Sequence, residues 1–221
     1  MNFLFVHQFH PSQSQFGHVA RHLALSGHQV LFITQHRGGV GFTGDIPGVR
    51  KIVYHTPHLR TPRGNYLARI RDNLPRGQIV ASCAERLKGR GFDPHLIVGH
   101  SGWGEIVYLK DVWPNTPLLG YFEDFWRAYG SDVDFDKEFP WREGAAARIR
   151  TGSAVDLLSL EASDRGLTAT KFQRSTYPRR YWNHLSVIHE GVDTSVLRPD
   201  PQSQVWLSSG VSVTAGDEAV T

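Results

Sequence analysis

Two uninterrupted apolar runs, residues 2–7 (Asn-Phe-Leu-Phe-Val-His) and residues 29–34 (Gln-Val-Leu-Phe-Ile-Thr), constrain this chain more than any other feature. Between them lie a polar loop from Gln8 to Gln15 and a helical pattern from Phe16 to Leu25, which Gly27 ends. Connections this short spell a strand–helix–strand unit. Neither run alternates apolar with polar residues, so both strands belong in a parallel sheet covered on both faces, with a right-handed crossover.

The same grammar continues. Strands are expected near Lys51–His55, Leu96–Gly99 and Leu118–Phe122, with weaker ones near Gly166–Ala169 and Ser186–Ile188. Residues 65–90 have helical spacing interrupted at Pro75-Arg-Gly77, which predicts two helical pieces. A further helix is expected over Gly144–Ser163, where Ala145, Ile149, Val155, Leu158 and Ala162 recur. The expected fold class is α/β: a Rossmann-like, doubly wound parallel sheet with helices on both faces. Pro199 and Pro201 mark a boundary, so residues 1–198 are expected to form one domain and 199–221 a linker or the start of another.

Composition excludes several classes. With 221 residues, 40% apolar and 20% charged, the chain is globular and long enough to build a core without staples. Cys83 stands alone, so no intramolecular disulfide forms and a reducing compartment fits best. The first residues lack a basic leader, and no window approaches the ~18 apolar residues of a membrane span. The expected location is cytoplasmic. Net charge is only +3, but residues 60–90 concentrate eight Arg/Lys against Asp72 and Glu85. That stretch reads either as a peripheral contact with phosphate groups or an anionic membrane, or as a solvated helix face. Tyr66 is its one aromatic residue, so no nucleic-acid partner is expected.

Three motifs point to less than they first offer. Gly39-Val-Gly-Phe-Thr-Gly44 has the lettering of a dinucleotide loop, but Asp45-Ile-Pro-Gly48 follows where a helix should open. His18 and His22 have zinc-ligand spacing without a third ligand or a glutamate base. Asp132, Asp134 and Asp136 leave two readings, a solvated acidic loop or a metal-dependent transferase motif; Lys137 and Pro140 weigh against a calcium loop. No metal or cofactor is expected.

The strand ends are more informative, because open α/β sheets bind ligands at the carboxyl ends of their strands. After the first strand, Gln8, His10, Ser12, Ser14 and Gln15 offer hydrogen-bonding groups suited to sugar hydroxyls, and Gly17 permits close backbone approach. An ordinary polar loop with Ser14 or Gln15 near the helix cap is the equal alternative. After the fourth strand, His100-Ser-Gly-Trp-Gly104 pairs a hydrogen-bonding ring with a stacking face in Trp103, and Glu105 is expected to start a helix. After the fifth, Glu123 and Asp124 either accept hydrogen bonds from hydroxyls or cap the next helix. The reading requires Gln15, His100 and Glu123 to meet at one rim.

Three segments, residues 93–100 (Asp-Pro-His-Leu-Ile-Val-Gly-His), 169–174 (Ala-Thr-Lys-Phe-Gln-Arg) and 186–194 (Ser-Val-Ile-His-Glu-Gly-Val-Asp-Thr), occur in the order found in the amino-terminal half of glycosyltransferase family 4, which residues 1 to about 198 resemble. The resemblance implies a GT-B enzyme with two facing Rossmann-like domains, transferring a sugar with retention from a nucleotide-sugar donor to a saccharide or lipid-linked acceptor, without an obligatory metal. It implies that His100 approaches the transferring sugar, that Gln15, Phe16 and Gly17 approach the donor phosphate, and that Glu123 lies on the acceptor side. It also implies that Lys171, Arg174, Glu190 and Gly191 border the interdomain cleft. On this reading the chain is an acceptor-side domain, inactive without a carboxy-terminal donor-binding domain. The alternative is a non-catalytic module that binds a saccharide or a phosphorylated ligand.

Overall fold

The computed structural model describes residues 1–35, 45–56, 65–131, 133–138, 144–206 and 212–214. Seven strands form one sheet: β1 (Asn2–Val6), β2 (Gln29–Gln35), β3 (Val49–Tyr54), β4 (Leu96–His100), β5 (Leu118–Tyr121), β6 (Arg165–Thr168) and β7 (Leu185–Val187). They lie in the order β3-β2-β1-β4-β5-β6-β7, every neighbouring pair parallel. The direction of winding reverses between β1 and β4, which creates the crevice where such sheets hold ligands.

The continuous apolar runs are explained by burial on both faces. Leu4, Val6, Leu31 and Ile33 join Val80, Cys83, Ala84, Ile97 and Leu109 in one core, beneath α2 (Ala68–Gly89) and α3 (Leu109–Val112). Phe3, Phe5, Val30 and Phe32 join Phe16, Ala20 and Tyr121 on the opposite face, beneath α1 (Gly17–Leu25). Alternate side chains of one strand thus feed two cores. A third cluster of Phe122, Leu160, Tyr177 and Leu185 packs α5 (Ala154–Ala162) against the far end of the sheet.

Four local expectations require correction. Pro75 does not divide residues 65–90: α2 is a single helix of 22 residues with the proline inside it. One missing N–H is tolerated because the helix is anchored by buried Asn73, Gly77, Val80, Cys83 and Ala84. The helix expected over 144–163 is instead two, α4 (Ala145–Gly152) and α5, joined at Ser153, whose Oγ donates to Ile149 O (3.0 Å) and Trp126 O (3.1 Å). The buried stripe of α5 is Val155, Asp156, Ser159 and Leu160, while Leu158 is exposed. Glu105 does not start a helix; it sits in turns, and α3 begins at Leu109.

The chain divides into compact units at Met1–His189 and Glu190–Thr221. The sheet occupies the first, with α6 (Lys171–Thr176) between β6 and β7. The second contains an antiparallel pair, β8 (Gln204–Trp206) and β9 (Ser212–Thr214). No helix is long and apolar enough to cross a membrane among the described residues. The Gly39–Gly44 lettering and Asp132 lie outside the described residues.

Candidate functional site

Where the winding reverses, His7, the residue that follows β1, lies against His100, the last residue of β4. Their rings stack at 4.9 Å with an interplanar angle of 13°. His7 Nδ1 lies 2.9 Å from Ser14 Oγ, and that same oxygen accepts from Phe16 N (3.2 Å), so Ser14 ties the loop to the start of α1.

His100, Gln15 and Glu123 meet, as the sequence reading requires. Gln15 Nε2 donates to Glu123 Oε1 at 2.9 Å, and His100 Nε2 lies 3.3 Å from Glu123 Oε2. The other ring nitrogen, His100 Nδ1, accepts from Gly102 N at 3.0 Å. A ring nitrogen that accepts carries no proton, so this network assigns the neutral Nε2–H tautomer, which donates to the Glu123 carboxylate. The hydrogen bond from His100, with that from Gln15, holds the Glu123 carboxyl below its usual range against partial burial.

The loop over residues 101–104 is fastened at successive carbonyls. Ser101 O accepts from Ser159 Oγ of α5 (3.0 Å). Gly102 O accepts from Arg69 Nη2 (3.2 Å) and Asn73 Nδ2 (3.1 Å), and Trp103 O accepts from Arg76 Nη1 (3.1 Å). Arg69, Asn73 and Arg76 sit at i, i+4 and i+7, a single face of α2. The helix comes this close because of two glycines. A Cβ on Gly77 would strike Gly104 O, and one on Gly104, whose φ is +80°, would strike Asn73 O. Arg69 and Arg76, part of the basic stretch read as a phosphate or membrane contact, are therefore turned inward; Arg76 also lies over Trp103 (6.0 Å).

Two buried carboxyls brace this arrangement. Asp156 of α5, its side chain only 2% exposed, pairs with Arg69 at 3.0 Å, and the same guanidinium lies over the Trp126 ring at 5.0 Å. Burial raises the Asp156 pKa to about 6, against the opposing charge of Arg69. Glu105, fully buried, accepts from Tyr54 Oη at the end of β3. Burial raises its pKa to about 7, opposed by the hydrogen bond from Tyr54, by the charge of Arg76 and by Gln8 N–H.

Beside these groups opens a cavity of about 370 Å³, lined by Arg69, Asn73, His100, Trp103, Glu123 and Trp126 together with Asp72, Ser101, Gly102, Asp124, Asp156 and Tyr177. Of the residues named from sequence, His100, Trp103, Glu123 and Asp124 line it, and Gln15 reaches it through Glu123. Gln8, Ser14 and Glu105 are buried supports and have no surface to offer a ligand. His10 and Ser12 form a separate cluster, bonded to each other (2.8 Å), with His10 Nε2 3.0 Å from Lys51 Nζ.

The backbone N–H groups of Phe16 and Gly17 donate to Ser14 Oγ and Ser14 O. Lys171 and Arg174 belong to α6, where Arg174 lies over Trp182 (5.8 Å); Glu190 and Gly191 open the second unit. Asp134 caps its own loop by accepting from Gly130 N and Ser131 N, and Asp136 accepts from Glu138 N. No group of three or more His, Cys, Asp or Glu converges as metal ligands among the described residues.

The sequence reading missed His7, Arg69, Asn73, Arg76, Trp126, Asp156 and Tyr177. Two signals were present: the helical spacing of Arg69, Asn73 and Arg76, and an acid, Asp156, between the apolar residues Val155 and Leu157.

Residues 26–197 match the family described as the glycosyl transferase family 4 group. Among solved structures, the chain is similar to Os79 from O. sativa in complex with UDP, at 12% identity and a TM-score of 0.51, over 88% of this chain and 53% of that one. It is also similar to the UDP-GlcNAc 2-epimerase from Neisseria meningitidis bound to UDP-GlcNAc, at 14% identity, TM-score 0.42, over 85% of this chain and 45% of that one. CalG4, the calicheamicin glycosyltransferase, matches at 14% identity, TM-score 0.42, over 85% and 52%. The chain therefore spans about half the length of these structures. The likeness to Os79 is one of fold: a doubly wound, Rossmann-like half of a larger architecture. No curated protein matches the chain.

Proposed function

We propose, for a chain that belongs to the glycosyl transferase family 4 group, that it is the acceptor-side domain of a retaining glycosyltransferase using a nucleotide-sugar donor. One observation carries the reading: Gln15, Glu123 and His100, from three separate strand ends, join beside a cavity walled by Trp103. Carboxylate edges that accept from hydroxyls, next to an indole that stacks on a pyranose face, are the chemistry of saccharide binding. The clamped 101–104 loop supplies the rigidity that a reacting geometry demands. Donor phosphates fall to a second Rossmann-like domain of the kind the family resemblance implies, and the domain alone would not turn over.

Titration with methyl glycosides, followed by saturation-transfer NMR, tests the reading. Binding is expected at this cavity, lost on Trp103→Ala and weakened on Glu123→Gln. Absence of binding, or binding indifferent to both substitutions, would refute it. A second reading, a non-catalytic saccharide module, is favoured by the engagement of both His100 nitrogens. Sugar transfer that collapses on His100→Ala would remove that alternative.

A further inference from the structure

We infer that the ligand of this site is amphiphilic: a hydroxylated ring seated in the cavity, joined to an apolar tail that passes Trp126 and lies in grooves along α4. The inference rests on the acceptor-site reading above and adds the second half of the acceptor.

Two grooves, of about 240 Å³ and 320 Å³, adjoin the cavity of about 370 Å³. Trp126 walls all three spaces. Arg69 borders both the cavity and the larger groove, and Ile149 borders both grooves. The three therefore meet around one indole, and a ligand that fills the cavity can continue into the grooves without leaving the protein surface.

Their chemistry differs. The cavity is edged by Asp72, Glu123, Asp124 and Asp156, whereas no carboxylate lines either groove among the described residues. Phe125, Ala128, Ala146, Ile149 and Leu157 wall the smaller groove; Tyr66, Ala68, Ala145 and Ile149 wall the larger. Arg127 and Arg150 border the first and Arg148 the second, where the stems of such side chains add carbon to the surface. Ser153 Oγ is turned away to Ile149 O and Trp126 O.

The fold leaves this apolar surface uncovered. Trp126 is 48% and Tyr66 46% exposed, and Phe125, Ile149 and Leu157 are half-buried. Contiguous apolar surface of this kind marks a place where something binds. The indole at its centre is fixed from two sides: Trp126 O accepts from Ser153 Oγ at 3.1 Å, and the Arg69 guanidinium lies 5.0 Å from the ring. Arg69 is held in turn by Asp156 and Gly102 O, so the side chain that fastens the His100 loop also sets the indole at the junction of ring and tail.

Continuity with the cavity selects the occupant. A second sugar ring in the grooves would bury hydroxyls against alanine, isoleucine and leucine, with no carboxylate to accept from them. An alkyl chain meets no such cost there. An acceptor that presents a hydroxyl toward His100 can carry the chain at its anomeric end, away from the reacting group.

Methyl, butyl and octyl glucosides, titrated into the whole chain by calorimetry below their micelle concentrations, test the inference. Full burial of each methylene would tighten binding about fourfold. In open grooves about half of that is expected, so octyl glucoside should bind at least about thirtyfold more tightly than methyl glucoside. Octanol, which lacks the ring, should bind far more weakly than octyl glucoside. Ile149→Gln, and separately the double variant Ala145→Gln, Ala146→Gln, each with its urea midpoint checked, are expected to lose most of the gain with chain length and to keep the affinity for methyl glucoside. Affinity indifferent to chain length, or a gain untouched by both variants, would overturn the inference while leaving the saccharide reading intact. Octanol binding as tightly as octyl glucoside would mean that the ring contributes nothing, and the saccharide reading would fall together with this inference.

Discussion

Arg69→Met tests whether the Arg69–Asp156 pair braces the site. The substitution keeps the length of the side chain and removes the charge, leaving Asp156, 2% exposed, without its cation. Breaking a buried pair by removing one partner costs about 3–5 kcal/mol when the remaining charge has no escape. Asp156 does have one, because it can take up a proton.

Its pKa already stands at about 6, against an ordinary 3.8. A carboxyl whose folded pKa is raised favours the fold at low pH, and that contribution is lost as the pH climbs from the unfolded toward the folded pKa. Loss of Arg69 removes an influence that lowers the pKa, so it rises further and the window extends upward. At pH 5 the variant should lose only the hydrogen bond to Gly102 O and the cover over Trp126, about 1 kcal/mol. At pH 8 it should lose about 3 kcal/mol or more, or roughly 6–12 °C of melting temperature for a chain of this size. Urea denaturation at the two pH values reads the difference, and the double variant Arg69→Met, Asp156→Asn should recover most of the loss at pH 8. Equal losses at both pH values, or no recovery in the double variant, would refute the argument.

Gly104→Ala should cost about 2 kcal/mol or more, because the residue has φ +80° and a Cβ would meet Asn73 O; a Gly104→Ala protein of unchanged urea midpoint would contradict that. Glu105, with its pKa raised to about 7 from 4.5, weakens the fold as pH rises through that interval. Glu105→Gln keeps an acceptor for Tyr54 and should flatten this part of the stability–pH profile, whereas a slope identical to that of the parent chain would deny Glu105 the role.

The fold was legible because its physics is local. Phe3, Leu4, Phe5 and Val6 are all apolar, and a strand covered on both faces uses such residues in succession, sending them alternately into two cores. The breaks were less legible, because they depend on what packs against them. Pro75 is a helix stop when read alone; in the fold, the neighbouring Gly77 lets α2 lie directly on Gly104. Glu105 resembles the first acid of a helix, yet it follows a loop held so tightly that the chain needs several turns before α3 can begin. In α5, the spacing of Val155 and Leu158 pointed to the wrong stripe, because Asp156 and Ser159 face inward to serve the β4 loop.

The half of the site carried by strand ends could be read, and the half carried by helix α2 could not, for one physical reason. Residues at the carboxyl end of a parallel strand point into the crevice whatever their partners are, so His100, Trp103 and Glu123 were found by position alone. A polar helical residue such as Arg69 declares its direction only when its partner is known. Here the partners are the carbonyls of Gly102 and Trp103, main-chain atoms that have no signature in the sequence. What separates Arg69 and Arg76 from the remaining basic residues of that stretch is their seven-residue spacing with Asn73 between them, which places three donors on the helical face that carries Gly77. Charge density had drawn attention outward to phosphates. Periodicity, the weaker signal, points inward to the loop, and the structure follows periodicity because a carbonyl turned toward a helix must be given a donor.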